Sequence, residues 1–122
     1  HAKGAFVNEK SRYDNSVLWR KYMEYFILHR WEDCVEALED YDICGVEWRE
    51  EPSCHFSGNF WWARDSYLQK LPNIIDYWSK NRLDRIQAEM YIGQSYPNYK
   101  DFSNFGLDMY FNSITEDKYR SK

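Results

Sequence analysis

Cysteine is scarce in this chain, and its spacing excludes two common ways of stabilising a small domain. The three cysteines among 122 residues, Cys34, Cys44 and Cys54, form neither an even set nor a C-x-x-C pair. Such a set predicts neither a disulfide framework nor a zinc site. We therefore expect reduced cysteines that are mostly buried.

Long apolar runs and an excess of basic residues are also missing. No window approaches the roughly 18 consecutive apolar residues of a bilayer-spanning helix, so no transmembrane segment is predicted. The formal net charge is -4, with 16 basic and 20 acidic side chains interspersed, and this balance would repel a phosphate backbone. Nucleic acid is therefore not an expected partner. With no leader visible before Lys3 and no disulfide framework, a cytoplasmic location is favoured over the secretory lumen.

Aromatic residues, by contrast, are abundant. Six Trp, eleven Tyr and seven Phe make up 20% of the chain. Aromatic side chains supply large buried surfaces, and Tyr and Trp also suit ligand grooves in which one edge meets water. A chain of this length can build one core, so we expect a single domain over residues 1–122.

Apolar residues at helical spacing predict four helices. The first, in "SVLWRKYMEYFILHR", is expected from about Val17 to His29, with a cap among residues 14–16. The others lie in "WEDCVEALED", "RDSYLQKLP" and "NRLDRIQAEMYIG", and the last of these has Asn81 as its expected cap.

Two short runs rich in strand formers predict β-structure. We expect "YDICGV" at 41–46 and "HFSGNFWWA" at 55–63 to be parallel strands of one sheet, covered by helices. Gly58 inside the second run indicates a bulge or the close approach of another group. The segment 94–122 is expected to be an irregular tail with one short helix. Helices alternating with short buried strands indicate an α/β fold.

The first group of candidate site residues surrounds the paired tryptophans. It comprises His55, Ser57, Gly58, Asn59, Trp61 and Trp62. Because side chains alternate along a strand, we expect Trp61 on a cleft face with Asn59, and Trp62 in the core. One interpretation is a sugar site in which Gly58 makes room for the ring and a tryptophan lies under its C–H face. The alternative is a strand buried on both sides.

Two acidic features complete the set of candidates. Glu89, at the border of an apolar helical face, is a candidate general base that projects into a cleft. Alternatively, it pairs with Arg85 one turn earlier on the surface. Asp40 and Asp42 have the spacing of a metal-binding Asp-x-Asp pair, but they precede the apolar run, whereas open α/β sheets bind ligands beyond the carboxyl ends of their strands. We therefore reject this pair as a metal site.

The order of these motifs resembles a family of predicted glycosyltransferases found in microbial polysaccharide loci, in some viruses and in microbial eukaryotes. Its members show an H-T-K-G-like segment after a strand, then Y-D-x-x-G, H-F-S-G-N-F-W-W-A and R-x-x-A-E. The corresponding segments here are "HAKG", "YDICGV", "HFSGNFWWA" and "RIQAE". Ala2 departs from the threonine that is usual in the first of them.

The resemblance implies a GT-A-like, Rossmann-like fold that transfers sugar from a nucleotide sugar to a carbohydrate acceptor. It implies that Glu89 is the acid or base, that the first group of candidate residues contacts sugar, and that His1, Lys3 and Gly4 lie near the donor phosphate. The strands that precede the first motif in the family are missing, so we expect the acceptor-side portion of such an enzyme. Any divalent metal of the intact enzyme has no convincing ligands in this chain.

A second class of function fits the same residues. The chain would then be a non-catalytic carbohydrate-binding or structural α/β module, with the aromatic strand in the core and Glu89 on the surface. Geometry distinguishes the two classes, because the transferase requires Glu89 to share one cleft with His55 or Asn59.

Overall fold

The computed structural model describes the backbone of residues 2–81, 85–108 and 112–120, and the side chains of 13–80, 86–108 and 112–120. Helices and two small β-sheets form this part of the chain, which is therefore mixed α/β, as predicted at that level. Across those ranges, the helices lack the combination of length and apolar character that crossing a membrane requires.

In chain order, the helices and strands are α1 (Ala2–Glu24), α2 (Trp31–Ala37), β1 (Ile43–Gly45), β2 (Trp48–Arg49), β3 (His55–Phe56), β4 (Trp61–Ala63), α3 (Asp65–Leu68), α4 (Ile74–Asn81), α5 (Arg85–Met90) and β5 (Tyr99–Asp101). Short 3₁₀ turns lie at Tyr91–Gly93, before β5, and at Glu116–Lys118, after it.

Helix α1 widens into π-helical hydrogen bonding over Tyr25–His29. Tyr22 and Phe26, one turn apart, are both buried, and their rings meet edge to face with centroids 5.5 Å apart. The predicted first helix is confirmed, but its expected cap among residues 14–16 is wrong. Polar side chains at partly exposed positions do not end a helix, and α1 continues back through them to Ala2.

Strand β1 is the centre of a three-stranded sheet in the order β4-β1-β5. Strand β4 pairs with it in antiparallel orientation, with Cys44 opposite Trp62, and β5 pairs with it in parallel. The prediction that the two apolar runs share a sheet is confirmed for β1 and β4, but the predicted parallel orientation is wrong. The connection forms β2 and β3 instead of a crossover helix, so the chain returns in the opposite direction.

The run 55–63 is not one strand. Strand β3 pairs with β2 in a separate two-stranded sheet, and only β4 joins the main sheet. Between them the Asn59 N–H donates to the carbonyl of Phe56 at 3.0 Å, closing a turn in which Gly58 and Asn59 have φ of 94° and 55°. Glycine and asparagine enter this left-handed region more readily than other residues, so the predicted continuous strand is replaced by a turn.

Three further expectations are corrected by the elements after β4. Helix α4 was not predicted; Tyr77 is buried on it, whereas Ile75 and Trp78 are exposed. Asn81 is the last residue of α4 and not the cap of the next helix. The segment 94–122 contains β5, which is ordered by pairing with β1, although the short helix expected there is confirmed by the 3₁₀ turn.

Buried side chains form two clusters that take alternate residues of β1 and β4. The first contains Tyr22, Tyr25, Phe26, Ile27, Cys34, Cys44, Val46, Ile114 and Tyr119. The second contains Ile43, Trp48, Phe56, Tyr67, Leu71 and Ile92. Trp62 packs against the first cluster and Trp61 against the second. The three cysteines are free, and two of them are fully buried, as expected.

Candidate functional site

An open pocket of about 370 Å³ lies where the turn before β4 meets α1 and α5. We call it the Glu89 pocket. Its lining residues within the described ranges are Ser16, Trp19, Met23, Gly58, Asn59, Ala88 and Glu89. The pocket thus brings the predicted base together with two of the predicted sugar-contacting residues, and it adds side chains from the first helix.

Gly58 allows this pocket to form. A Cβ at this position would lie 2.6 Å from Met23 Sδ and 3.0 Å from Trp19 Cζ2, and the φ of 94° already disfavours any side chain. The close approach inferred from the sequence is therefore real, and the group that approaches Gly58 is the inner face of α1.

Glu89 extends from α5 to the same turn. Its Oε1 accepts a hydrogen bond from the backbone N–H of Gly58 at 3.1 Å, and the side chain is half-buried. Among the described residues, Oε2 has no hydrogen-bond partner. Within the described residues, the carboxylate is therefore held through one oxygen, Oε1. The alternative pairing with Arg85 concerns a side chain outside the described residues.

Asn59 is oriented by one of the paired tryptophans. Trp61 Nε1 donates to Asn59 Oδ1 at 2.9 Å. Because an indole N–H can only donate, the amide must turn its oxygen to Trp61 and its NH₂ group elsewhere. Asn59 is exposed, and it lines the Glu89 pocket with a donor that makes no hydrogen bond to the described residues.

The paired tryptophans are not among the described residues that line this pocket. Trp62 is half-buried against the first cluster, and its Nε1 donates to the carbonyl of Ile27 at 2.7 Å. The expected core position of Trp62 is confirmed. Trp61 contacts Asn59 as the alternation predicted, but its ring packs against the second cluster and not along the cleft, because the turn at Gly58 separates it from the pocket wall.

His55 does not converge with Glu89. It is 6% exposed, and its Nδ1 donates to the carbonyl of Ser53 at 2.7 Å, which ties the ring to the loop before β3. His55 is thus not among the described residues that line the Glu89 pocket, and its contact with sugar stays a prediction. The predicted strand placed it beside Asn59, but the turn directs the two side chains to different environments.

Ser57 lines a second pocket, of about 410 Å³, to which Trp19 also contributes. We call it the Arg49 pocket. Its described lining residues are Trp19, Arg49, Glu51, Ser57, Gly106, Leu107 and Asp108. Since Trp19 belongs to both pockets and Ser57 directly precedes Gly58, the two pockets adjoin along one turn.

A buried polar network lies beside the Arg49 pocket. Glu47 is fully buried, and its Oε1 accepts from Arg49 Nη2 at 2.9 Å while Oε2 accepts from the Tyr22 hydroxyl and the Phe105 N–H, both at 2.7 Å. Burial raises the pKa of the Tyr22 hydroxyl far above its usual range, which keeps it a donor. Asp101 accepts the N–H of Glu47 at 3.1 Å, and burial raises the pKa of Asp101 as well.

Sequence analysis missed the contribution of α1 to the site. Ser16, Trp19 and Met23 are spaced three and four residues apart, which places them on one helix face. Trp19 and Met23 belong to the apolar pattern that predicts the first helix, and this pattern does not distinguish a core from a pocket wall. A serine within an otherwise apolar stripe is the signal that could have indicated a face opening onto a pocket.

The remaining predicted site residues lie elsewhere or outside the description. In the expected donor-phosphate segment, Lys3 and Gly4 lie in the first turn of α1, while His1 and the Lys3 side chain fall outside the described residues. Asp42 and Asn98 bind each other's backbone N–H groups at the starts of β1 and β5. Over the described ranges, no cluster of His, Cys, Asp and Glu is suited to hold a metal ion.

Comparison with known proteins gives one family match. The model of a family described as "Domain of unknown function (DUF8361)" matches residues 1–114, which is most of the chain. The chain belongs to the DUF8361 family. It matches none of the curated proteins and none of the solved structures with which it was compared. The family match covers α1, the turn at Gly58 and α5, so the DUF8361 domain contains both pockets.

Proposed function

We propose that this DUF8361 domain is the acceptor-side part of a GT-A-like glycosyltransferase, which transfers a sugar from a nucleotide-sugar donor to a carbohydrate bound in the Glu89 pocket. One observation carries the proposal. The Glu89 carboxylate is held by the N–H of Gly58 in the same pocket as Asn59 and Trp19. This is the convergence on one cleft that the transferase hypothesis requires of Glu89 and Asn59.

The lining of the pocket suits a sugar ring. Trp19 and Met23 supply apolar surface for the C–H face of the ring, whereas Ser16, Asn59 and Glu89 supply a hydroxyl, an amide donor and a carboxylate acceptor. Small-molecule sites typically combine such apolar walls with a few placed polar groups, in volumes of roughly 300 to 1,000 Å³. The aromatic platform is thus Trp19, in place of the paired tryptophans.

The carboxylate gives the pocket its chemistry. Glu89 Oε2 takes the proton of an acceptor hydroxyl, and the hydroxyl oxygen forms a bond to the anomeric carbon of the donor. The bond from that carbon to the diphosphate oxygen breaks, and the nucleoside diphosphate leaves with the electron pair. The bond from Gly58 to Oε1 orients the base without occupying the oxygen that accepts the proton.

A non-catalytic carbohydrate-binding module is the second candidate. It is favoured by the same hydrogen bond, because a carboxylate that ties α5 to the turn already has a structural use. In that case the pocket binds sugar through Trp19 and Asn59, and Glu89 moves no proton.

Glu89→Gln separates the two candidates. The amide oxygen of glutamine still accepts the Gly58 N–H, but it is no base, so turnover with a panel of nucleotide sugars and acceptors should fall about 10²- to 10⁴-fold. Glu32→Gln, which alters an exposed acid on α2, is the matched control. Release of nucleoside diphosphate by the intact protein, with and without acceptor, provides the measurement.

The outcomes are distinct. Full activity in Glu89→Gln would remove the catalytic role of Glu89. Sugar binding at Gly58 and Asn59 without transfer from any donor would favour the binding module. Failure of every sugar to perturb these residues in an NMR titration would reject both candidates.

A further inference from the structure

The indole of Trp61 is anchored in the main sheet. Its backbone pairs with Gly45 of β1, and its ring packs against the second cluster. From this position the indole Nε1 donates to Asn59 Oδ1 at 2.9 Å. The donor that reaches Asn59 is therefore held by strand pairing and by core packing, from outside the described lining of the Glu89 pocket.

The backbone of Asn59 is set by the turn between β3 and β4. Its φ is 55°, and its N–H donates to the carbonyl of Phe56 at 3.0 Å. The N–H of the preceding Gly58 donates to Glu89 Oε1 at 3.1 Å. The side chain of Asn59 still has one choice, because either the oxygen or the NH₂ group of an amide can face a neighbour.

Trp61 makes that choice. An indole N–H only donates, so the amide end that faces it is the oxygen, and the NH₂ group is left with its two donors. Asn59 is exposed and lines the Glu89 pocket, and its NH₂ group makes no hydrogen bond to the described residues. A ligand group beside it must offer a lone pair. Hydroxyl and carbonyl oxygens do so, whereas an ammonium group has donors alone.

We propose that Trp61 is a positioning residue of the Glu89 pocket, which binds Asn59 Oδ1 and thereby presents the amide NH₂ group to an oxygen of the sugar. The pocket then selects a hydroxyl or an acetamido carbonyl at that place and rejects an ammonium group. The inference rests on the proposed function, because it specifies how the sugar is recognised in the same pocket. In this role Trp61 acts through Asn59 and does not touch the sugar.

Glu89 gives the pocket the opposite requirement. A carboxylate only accepts, so a sugar hydroxyl that faces Glu89 must donate its proton. A fluorine in place of a hydroxyl accepts weakly and donates nothing. Fluorine is therefore better tolerated than hydrogen at the ring position that faces Asn59, but not at the position that faces Glu89.

Side-chain resonances test the role of Trp61 directly. The ¹⁵N-labelled chain would be titrated with glucose, galactose, mannose and N-acetylglucosamine, and we expect binding to shift both the Gly58 N–H and the Asn59 NH₂ signals. Trp61→Phe keeps an aromatic ring but removes the indole N–H, so the affinity should fall about three- to tenfold and the Asn59 shift should be lost, while Gly58 still responds. Trp48→Phe, at another tryptophan of the second cluster, is the matched control and should leave the Asn59 shift unchanged.

Asn59→Asp tests whether Trp61 acts through Asn59. The aspartate still accepts the indole N–H but offers no donor, so we expect a loss of affinity at least as large as that of Trp61→Phe. Adding Trp61→Phe to this variant should cause no further loss, because the two changes remove the same interaction. Melting temperatures of all variants show that they fold.

Derivatives of the tightest-binding of the four sugars identify the group that Asn59 contacts. Monodeoxy, monofluoro and monoamino forms would be compared in the wild type and in Trp61→Phe. At one ring position, we expect fluorine to preserve binding better than hydrogen or an amino group does. This difference should disappear in Trp61→Phe.

The results separate this inference from the proposed function. A sugar that shifts Gly58 but not the Asn59 NH₂ group, an unchanged affinity in Trp61→Phe, or additive losses in the double variant would each overturn the positioning role and leave the proposed function standing. No response at Gly58 to any of the four sugars would reject the proposed function, and this inference with it.

Discussion

Glu47 and Glu89 are carboxylates in neighbouring regions of the molecule, and they differ in burial and in the number of their hydrogen bonds. Glu47 is fully buried, and both of its oxygens are bound, to Arg49, Tyr22 and Phe105. Glu89 is half-buried and, among the described residues, has one hydrogen bond, from Gly58. A buried carboxylate must satisfy its oxygens within the protein, whereas one at a pocket can leave an oxygen for a ligand. The first therefore holds the structure, whereas the second has one oxygen with no hydrogen bond to the described residues.

Removing each carboxylate in turn should give the largest difference in stability between the two regions. Glu47→Ala leaves Arg49 without its buried partner, and we expect the free energy of unfolding to fall by about 3 to 5 kcal/mol. Glu89→Ala should cost less than about 1.5 kcal/mol, since water can reach the freed Gly58 N–H. Urea denaturation of both variants measures the difference. Equal losses would mean that Glu89 is as structural as Glu47.

Two glycines with positive φ provide the next comparison. Gly58→Ala combines backbone strain with a clash against Met23 and Trp19, and we expect a loss of about 2 to 4 kcal/mol. At Gly106 a Cβ meets nothing within 4 Å, so Gly106→Ala should show strain alone, about 1 kcal/mol. Thermal or urea unfolding would check both. If the losses are the same, α1 does not pack against the turn as described.

Removing one tyrosine hydroxyl from each region should give a smaller difference in the free energy of unfolding. Tyr22→Phe removes a buried donor to Glu47, and we expect a loss of about 1 to 3 kcal/mol. Tyr91→Phe, two residues after Glu89, removes an exposed hydrogen bond to the carbonyl of Pro72 and should cost under about 0.5 kcal/mol. The pair shares the same chemical change. If Tyr91→Phe lowers the free energy of unfolding more than Tyr22→Phe does, the hydrogen bonds around Glu47 are not the more stabilising ones.

The smallest expected effect is a pH dependence in the Glu47 region. Burial raises the pKa of Asp101 in the folded protein, so the folded state holds its proton to higher pH than the unfolded chain does. The contribution of Asp101 to stability therefore falls as pH rises from the ordinary aspartate pKa of about 4 through the raised folded value. Urea midpoints measured across this range should show the slope, and Asp101→Asn should remove it. A midpoint difference between the two proteins that does not change with pH would contradict the raised pKa.

Local sequence patterns anticipated much of the secondary structure. The spacing of Trp19, Met23, Phe26 and Ile27 specified the first helix. Alternation placed Trp61 and Trp62 on opposite faces of β4, where they pack against different clusters. The same pattern failed at Gly58, since a glycine within an apolar run is compatible with both a bulge and a complete turn. Strand β5 was missed because three residues carry too little periodicity to be recognised without their partner strand.

The candidate site also has parts that the sequence predicts and parts that only tertiary packing decides. Residue type and helical position were enough to select Glu89, and the Gly58-Asn59 pair is disposed to left-handed backbone in any fold, so these parts follow from the sequence itself. Tertiary packing alone decided that Trp19, 39 residues before Gly58 in the chain, lies against it as the aromatic wall. It also decided that Glu47 is buried with two partners from distant segments, Tyr22 and Phe105. Local propensities act over a few residues, whereas these contacts depend on how α1, the turn and the segment 104–108 are brought together, which no short stretch of sequence encodes.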